Sequence, residues 1–317
     1  MPTSAAPHPW LRRLVVANLV FEVLIVVTGG LVRLTGSGLG CPTWPQCVPG
    51  SYTPVAHQAQ GWHKYIEFGN RTMTSVVSVA AVLVIVALFV WARDRPRLRR
   101  PAYLVLAGVA LQAVIGGITV LTGLNPAIVA GHFLVSMLLV AASTLLLVRI
   151  DEGDAAPVPL ARREIRVLAA VTTALAAVIL VLGTIVTGSG PHSGDADQPA
   201  RLAVDPRAVS WLHADAVMLF VGLVVAVLLA VRLTGVGTRA ARAWTVLLAV
   251  TLAQGVVGYV QYFTGLPWAV VLVHMLGASL LVVALVRAVL SLRERPVVRH
   301  VARSAEQPAG RSAVPQA

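Results

Sequence analysis

Apolar runs of roughly nineteen to twenty-five residues, each closed by a short polar segment, repeat along the whole chain. Eight of them are long enough to cross a bilayer as helices at about 1.5 Å per residue: Leu14–Val32, Ile66–Val90, Tyr103–Leu121, Ala127–Val148, Ile165–Thr187, Trp211–Val231, Ala243–Phe263 and Trp268–Leu290. Two of the segments repeat one another at a distance of 142 residues. Between Gln112 and Ala142 the pattern shares 14 of 31 positions with Gln254–Ala284. Valine and leucine coincidences weigh little in so apolar a chain. The informative matches are Gln112/Gln254, Gly116/Gly258, the Thr-Gly-Leu triplets at Thr122 and Thr264, and His132/His274. The pattern predicts an all-α integral membrane protein whose eight transmembrane helices form two four-helix-bundle repeats. With four spans in each, both repeats enter from the same side and are parallel.

Composition agrees: 57% of residues are hydrophobic and 12% charged, against about a quarter charged in soluble domains. The net charge of +12 invites a nucleic-acid reading, but its distribution argues for no nucleic acid and for the lipid bilayer as partner. Twenty of the 25 basic residues fall at Arg12–Arg13, Arg93–Arg100, Arg149–Arg166, Arg232–Arg242 and Arg287–Arg311, on alternate sides of the spans and hence on one face. The positive-inside rule makes that face cytoplasmic, with both termini inside. The first span has no small-residue cleavage site behind it and reads as retained rather than as a signal peptide. The expected organisation is a cytoplasmic N-terminus (1–13), a first four-helix repeat (14–148), a cytoplasmic linker (149–164), a second repeat (165–290) and a disordered cytoplasmic tail (291–317).

The first spans of both halves end in "TGSG", at Thr35–Gly38 and Thr187–Gly190, and lead into the two longest outer loops. The first loop carries the only cysteines, Cys41 and Cys47. An oxidising exterior favours a disulfide between them, structural or redox-active, over a reduced pair. Two thiolates alone do not complete a zinc shell.

Asn70, His132, His213 and His274 lie at one depth, about five to eight residues inside their helices, or roughly 8–12 Å below the outer surface at the rise of a helix. One imidazole in an apolar helix is most simply a hydrogen-bonded core residue. Three at one depth, two of them related by the repeat, point to the bundle interior and to function. Imidazoles on facing helices suit the two axial positions of a haem iron, whereas a closed zinc site wants more nitrogen or sulfur ligands than either half offers. The second half pairs His213 with His274. The first sets Asn70 against His132, so one histidine is the expected ligand there. Glu67, one turn before Asn70, is placed to take a proton or to stabilise positive charge, and an ion pair with Arg71 at i+4 is compatible with that role. Arg33, Arg71 and Arg201 are candidates for haem propionates, with lipid head groups as the alternative. His63 reads as a solvated boundary residue, and Glu22, inside the first span, has no assigned partner.

"GGLVRLTGSGLGCPTWPQC" (Gly29–Cys47), "EFGNR" (Glu67–Arg71), "GH" at Gly131–His132, "VTGSGPHSGD" (Val186–Asp195), "WLHAD" (Trp211–Asp215) and "VHMLGA" (Val273–Ala278) together resemble the haem A synthase family. The resemblance implies an oxidoreductase of the bacterial plasma membrane that converts the C8 methyl of haem O into the formyl of haem A, the prosthetic group of haem-copper cytochrome oxidases. It implies a haem b (iron) cofactor on His213 and His274, a substrate haem site at His132 with Glu67 as catalytic residue, and correspondence of the family's cysteine pair with Cys41 and Cys47. Haem O synthase and cytochrome oxidase assembly factors are the implied protein partners, and a homo-oligomer is left open. One position departs: the family commonly has a histidine where this chain has Asn70. The rival readings are a di-haem cytochrome b, which calls for two equivalent bis-histidine sites, and a haem O carrier or chaperone without catalysis.

Overall fold

The computed structural model describes residues 7–195 and 199–296. Eight long helices follow one another: α1 (Pro9–Leu34), α2 (His63–Trp91), α3 (Arg99–Leu121, after a single 3-10 turn at Pro96–Leu98), α4 (Pro126–Ile150), α5 (Arg163–Ser189), α6 (Pro206–Leu233), α7 (Thr238–Phe263) and α8 (Trp268–Leu290). All eight are long and apolar enough to span a membrane. The expected all-helical, eight-span class is therefore observed, with helices that overrun the apolar runs. α1 starts at Pro9 rather than Leu14, because proline suits the first helical position and Arg13 lies over the Trp10 ring, 4.8 Å from its centroid.

Local signals explain where the helices stop and restart. α1, α3, α6 and α7 each end in Thr-Gly, the threonine as C-cap and the glycine with positive φ: Gly36 at 66°, Gly123 at 61°, Gly235 at 66° and Gly265 at 78°. The following residue then reaches back five positions, as in Leu124 N–H to Thr119 O (2.8 Å) and Leu266 N–H to Gln261 O (2.7 Å). This is a Schellman ending, which needs a left-handed residue and so favours glycine. The strain extends one residue further in two turns, at Leu124 (φ 58°) and Leu266 (φ 60°). α4 restarts under an Asn125 side chain that accepts from Ala127 N, and α6 under Asp205, which accepts from Arg207 N. The second "TGSG" behaves differently from the first. Thr187–Ser189 remain helical and α5 caps at Gly190 with φ −78°, so equal sequence there does not give equal structure.

The helices pack as neighbours in sequence, α1 on α2, α3 on α4, α5 on α6 and α7 on α8, with α1 and α4 also meeting α8, and α4 meeting α5. Gly30 of α1 opens room for Met275 of α8, whose sulfur would lie 2.8 Å from a Cβ at that position. Two packed clusters fill one end of the bundle. One gathers Leu11, Leu88, Leu98, Leu146 and Ile150; the other gathers Phe220, Val224, Trp244, Leu247 and Ala288.

That end also carries the arginines. Glu152 in the linker lies 3.6–3.9 Å from Arg149, Arg239, Arg293 and Arg295, and Arg95 binds Asp154 at 2.8 Å. Residues just past α8, assigned from sequence to the free tail, fold back. Arg293–Glu294 pairs antiparallel with Val158–Pro159 of the linker in a two-stranded sheet. Residues 297–317 of the expected disordered tail lie outside the described residues.

Candidate functional site

The opposite end of the bundle encloses a cavity of about 790 Å³, within the usual range of roughly 300–1,000 Å³ for cofactor and ligand pockets. His132, His213 and His274 all line it, together with Glu22, Arg33, Glu67, Asn70 and Arg71. The structure thus gathers the depth layer expected from sequence around one space. Each of the four layer residues faces a glycine on the preceding helix. A Cβ on Gly116 would stand 3.5 Å from His132 Cε1, on Gly183 3.3 Å from His213 Cε1, on Gly258 3.5 Å from His274 Cε1, and on Gly29 3.9 Å from Asn70 Oδ1. Bare backbone there lets each side chain approach the neighbouring helix closely.

Gln112 and Gln254 act alike. Their Nε2 atoms donate to His132 O (2.9 Å) and His274 O (3.0 Å) across the turns that join α3 to α4 and α7 to α8. Each histidine helix is thereby held at a fixed height relative to its partner.

Nδ1 of His132 and of His274 is buried and has no hydrogen-bond partner among the described residues. Three imidazoles lining one cavity fit a group that takes nitrogen ligands. Among the described residues no three His, Cys, Asp or Glu side chains converge. The Asn70 amide is engaged differently. Thr28 Oγ1 donates to its Oδ1 at 2.7 Å, taking one of the two lone pairs of that oxygen.

Glu67 is 5% exposed and tightly held. Its Oε2 accepts from Cys41 N–H (2.6 Å), and its Oε1 accepts from Arg71 Nη2 (2.6 Å) and Nε (3.1 Å). Arg71 in turn donates to the carbonyls of Cys41 (2.7 Å), Thr43 (2.9 Å) and Gln46 (3.2 Å). Cys41 and Cys47 form a disulfide, so the cysteine loop is a closed ring wrapped on the Glu67–Arg71 pair. The helical spacing of that pair was visible in the sequence; the part played by the Cys41 amide was not, because a backbone donor has no residue-type signature. The same loop ties Lys64, 3% exposed, through its Nζ to the carbonyls of Val55 (2.5 Å) and Ala56 (2.9 Å). Trp44 lies against α3, where a Cβ on Gly117 would meet its ring.

Arg33 reaches across to the other half, donating from Nε to His192 O (2.7 Å) and from Nη2 to Thr187 O (2.8 Å). His192 continues the link with Nε2 3.0 Å from Leu266 O, and Gly38 N–H donates to Gly194 O at 2.8 Å. Arg201 lies apart at the surface, 3.4 Å from Pro191 O. His63 Nδ1 sits 2.9 Å from Ser37 Oγ and its ring stacks on Trp62, so it anchors the loop.

Fold and cavity together define a multi-pass membrane protein with a histidine-lined internal site. The sequence model of the COX15-CtaA family, described as cytochrome oxidase assembly protein, matches residues 12–193, more than half of the chain, and the chain belongs to that family. Similar proteins include the heme A synthases of Geobacillus thermodenitrificans, 31% identical over 147 residues, of Bacillus pumilus, 34% over 146 residues, and of Listeria welshimeri, 29% over 140 residues. These alignments cover 44–46% of this chain and 45% of each relative, so the chain matches about half the length of the curated relatives.

Proposed function

We propose that the protein is a haem A synthase, oxidising the C8 methyl group of haem O to the formyl group of haem A. The observation that carries this reading is the meeting, in one cavity of a family member, of three imidazoles with a carboxylate held by Cys41 N–H and Arg71. His213 and His274 would hold a resident haem b, which would supply one-electron redox chemistry beside the substrate site. His132 holds the substrate haem from one side, and Asn70, committed to Thr28, leaves the other side without a protein ligand.

The methyl carbon must lose electrons and protons and gain an oxygen, which on this reading water supplies. Glu67 takes protons or balances developing positive charge. Arg71 and the Cys41 amide fix the position of that carboxylate, since two donors on one oxygen and one on the other leave it little rotational freedom. Arg33, with two of its nitrogens on carbonyls of the opposite half, bridges the two halves at the mouth and offers its remaining nitrogen, Nη1, to a propionate. The orientation in the plasma membrane places the arginine-rich end and both termini in the cytoplasm, and the two four-helix halves are parallel copies of one ancestral unit.

The deciding experiment is haem extraction and mass analysis from membranes in which the chain is co-expressed with a haem O synthase. Haem A present only with this chain supports the oxidase; haem O and protohaem without haem A, in folded red protein, refutes it.

A further inference from the structure

Eleven residues before Arg33 on the same helix, roughly 16 Å deeper at the rise of an α-helix, the cavity meets a second acid. Glu22 is 3% exposed and lines the same space. Its Oε1 is buried without a partner, and no hydrogen bond reaches either carboxyl oxygen among the described residues. One turn further along α1, Asn18 is also buried, with Nδ2 on Ser143 Oγ (3.1 Å) and Oδ1 unpaired. An unbonded carboxyl in the apolar interior of a membrane protein is costly. Nothing in the surrounding helices offsets that cost, so the partner is whatever fills the cavity.

The inference rests on the haem O reading. Haem O is chemically two-ended: its carboxylates sit on one edge, and away from them its peripheral polar group is the hydroxyl of the hydroxyethylfarnesyl arm. The cavity is two-ended in the same sense, with Arg33 and Arg71 near the mouth and Glu22 at depth. We propose that Glu22 is the recognition residue for the hydroxyl of the farnesyl-bearing arm, accepting its hydrogen bond and so separating haem O from protohaem, which lacks that hydroxyl. A site built to bond a substrate hydroxyl discriminates against analogues without it, because its own polar group is then left unpaired.

The test is a binding titration of the purified full-length protein, followed by Soret absorbance, with three probes: haem O, protohaem, and haem O whose arm hydroxyl has been converted to a methyl ether. The wild type is expected to bind haem O about tenfold more tightly than the ether, the size of effect produced by one unmade buried hydrogen bond. Glu22→Gln keeps the preference, since its amide oxygen still accepts. Glu22→Met abolishes it while changing protohaem affinity less than about twofold. Equal wild-type affinity for haem O and the ether overturns the assignment whether or not the variants fold, and so does an undiminished preference in folded Glu22→Met. Haem A production by the wild type, measured in the same preparation, keeps the two ideas apart. Haem A formed with hydroxyl-independent binding retires the Glu22 subsite alone, whereas hydroxyl-dependent binding without haem A retires the oxidase alone.

Discussion

Replacing Gly40 by alanine separates the position of the Glu67 carboxylate from its chemistry. A Cβ on Gly40 would lie 2.7 Å from the carbonyl carbon of His63 and 2.9 Å from Lys64 N, and closer still to the His63 oxygen. All three atoms are backbone of the first turn of α2 and cannot rotate away. Ordinary contact begins at about 3.5 Å, so the loop strand has to retreat by roughly 1 Å to clear the nearest of the three. Cys41, the next residue, moves with it, and its N–H···Oε2 distance of 2.6 Å stretches to about 3.6 Å, past the usual limit for such a bond. A hydrogen bond to a charged group contributes about 1.5–3 kcal/mol, and misplacing a reacting group by about 1 Å costs up to about 100-fold in rate. The expected result is a 10- to 100-fold fall in haem A formation, with the disulfide intact and the histidine-bound haem spectrum unchanged. The assay is single-turnover conversion of haem O by purified protein, with thiol titration and optical spectra as controls. Conversion within twofold of wild type would refute the claim that the cysteine loop positions Glu67.

Glu67→Gln is expected to retain bound haem and to stop haem A formation, read by extracted-haem mass analysis; full activity would remove Glu67 from the mechanism. His213→Ala and His274→Ala should each lose the low-spin b-type absorbance, and its survival in both would place the resident haem elsewhere. Asn70→His supplies a second imidazole opposite His132 and releases Thr28, so the substrate haem should shift to a low-spin bis-histidine optical and paramagnetic resonance signature. An unchanged spectrum would show that Asn70 does not face the iron.

The spans, the histidine layer and the Glu67–Arg71 pair were legible because each rests on spacing along one helix, where a 3.6-residue period or a depth count converts sequence into position. The contacts that organise them were not. Thr28 reaches Asn70 from another helix, Arg33 binds carbonyls of Thr187 and His192 more than 150 residues away, and Glu67 is held by an amide of Cys41. Backbone donors and acceptors belong to every residue and leave no trace in composition. The four glycines facing Asn70 and the histidines had a faint signal, since Gly116 and Gly258 recur at the repeat distance. Gly29 and Gly183 fall outside that register, in the region where the two "TGSG" segments also diverge.

The short pairing of Arg293–Glu294 with Val158–Pro159 has a consequence for how the chain is made. Two of the four arginines around Glu152, Arg293 and Arg295, lie beyond the last helix. A ribosome must therefore deliver all eight spans before the linker acquires its strand partner and Glu152 its full set of cations. The seam between the halves at the arginine-rich end closes as a late step of biogenesis. A reporter fused directly behind Leu290 would leave that seam unfastened, while one placed after Pro296 would spare it.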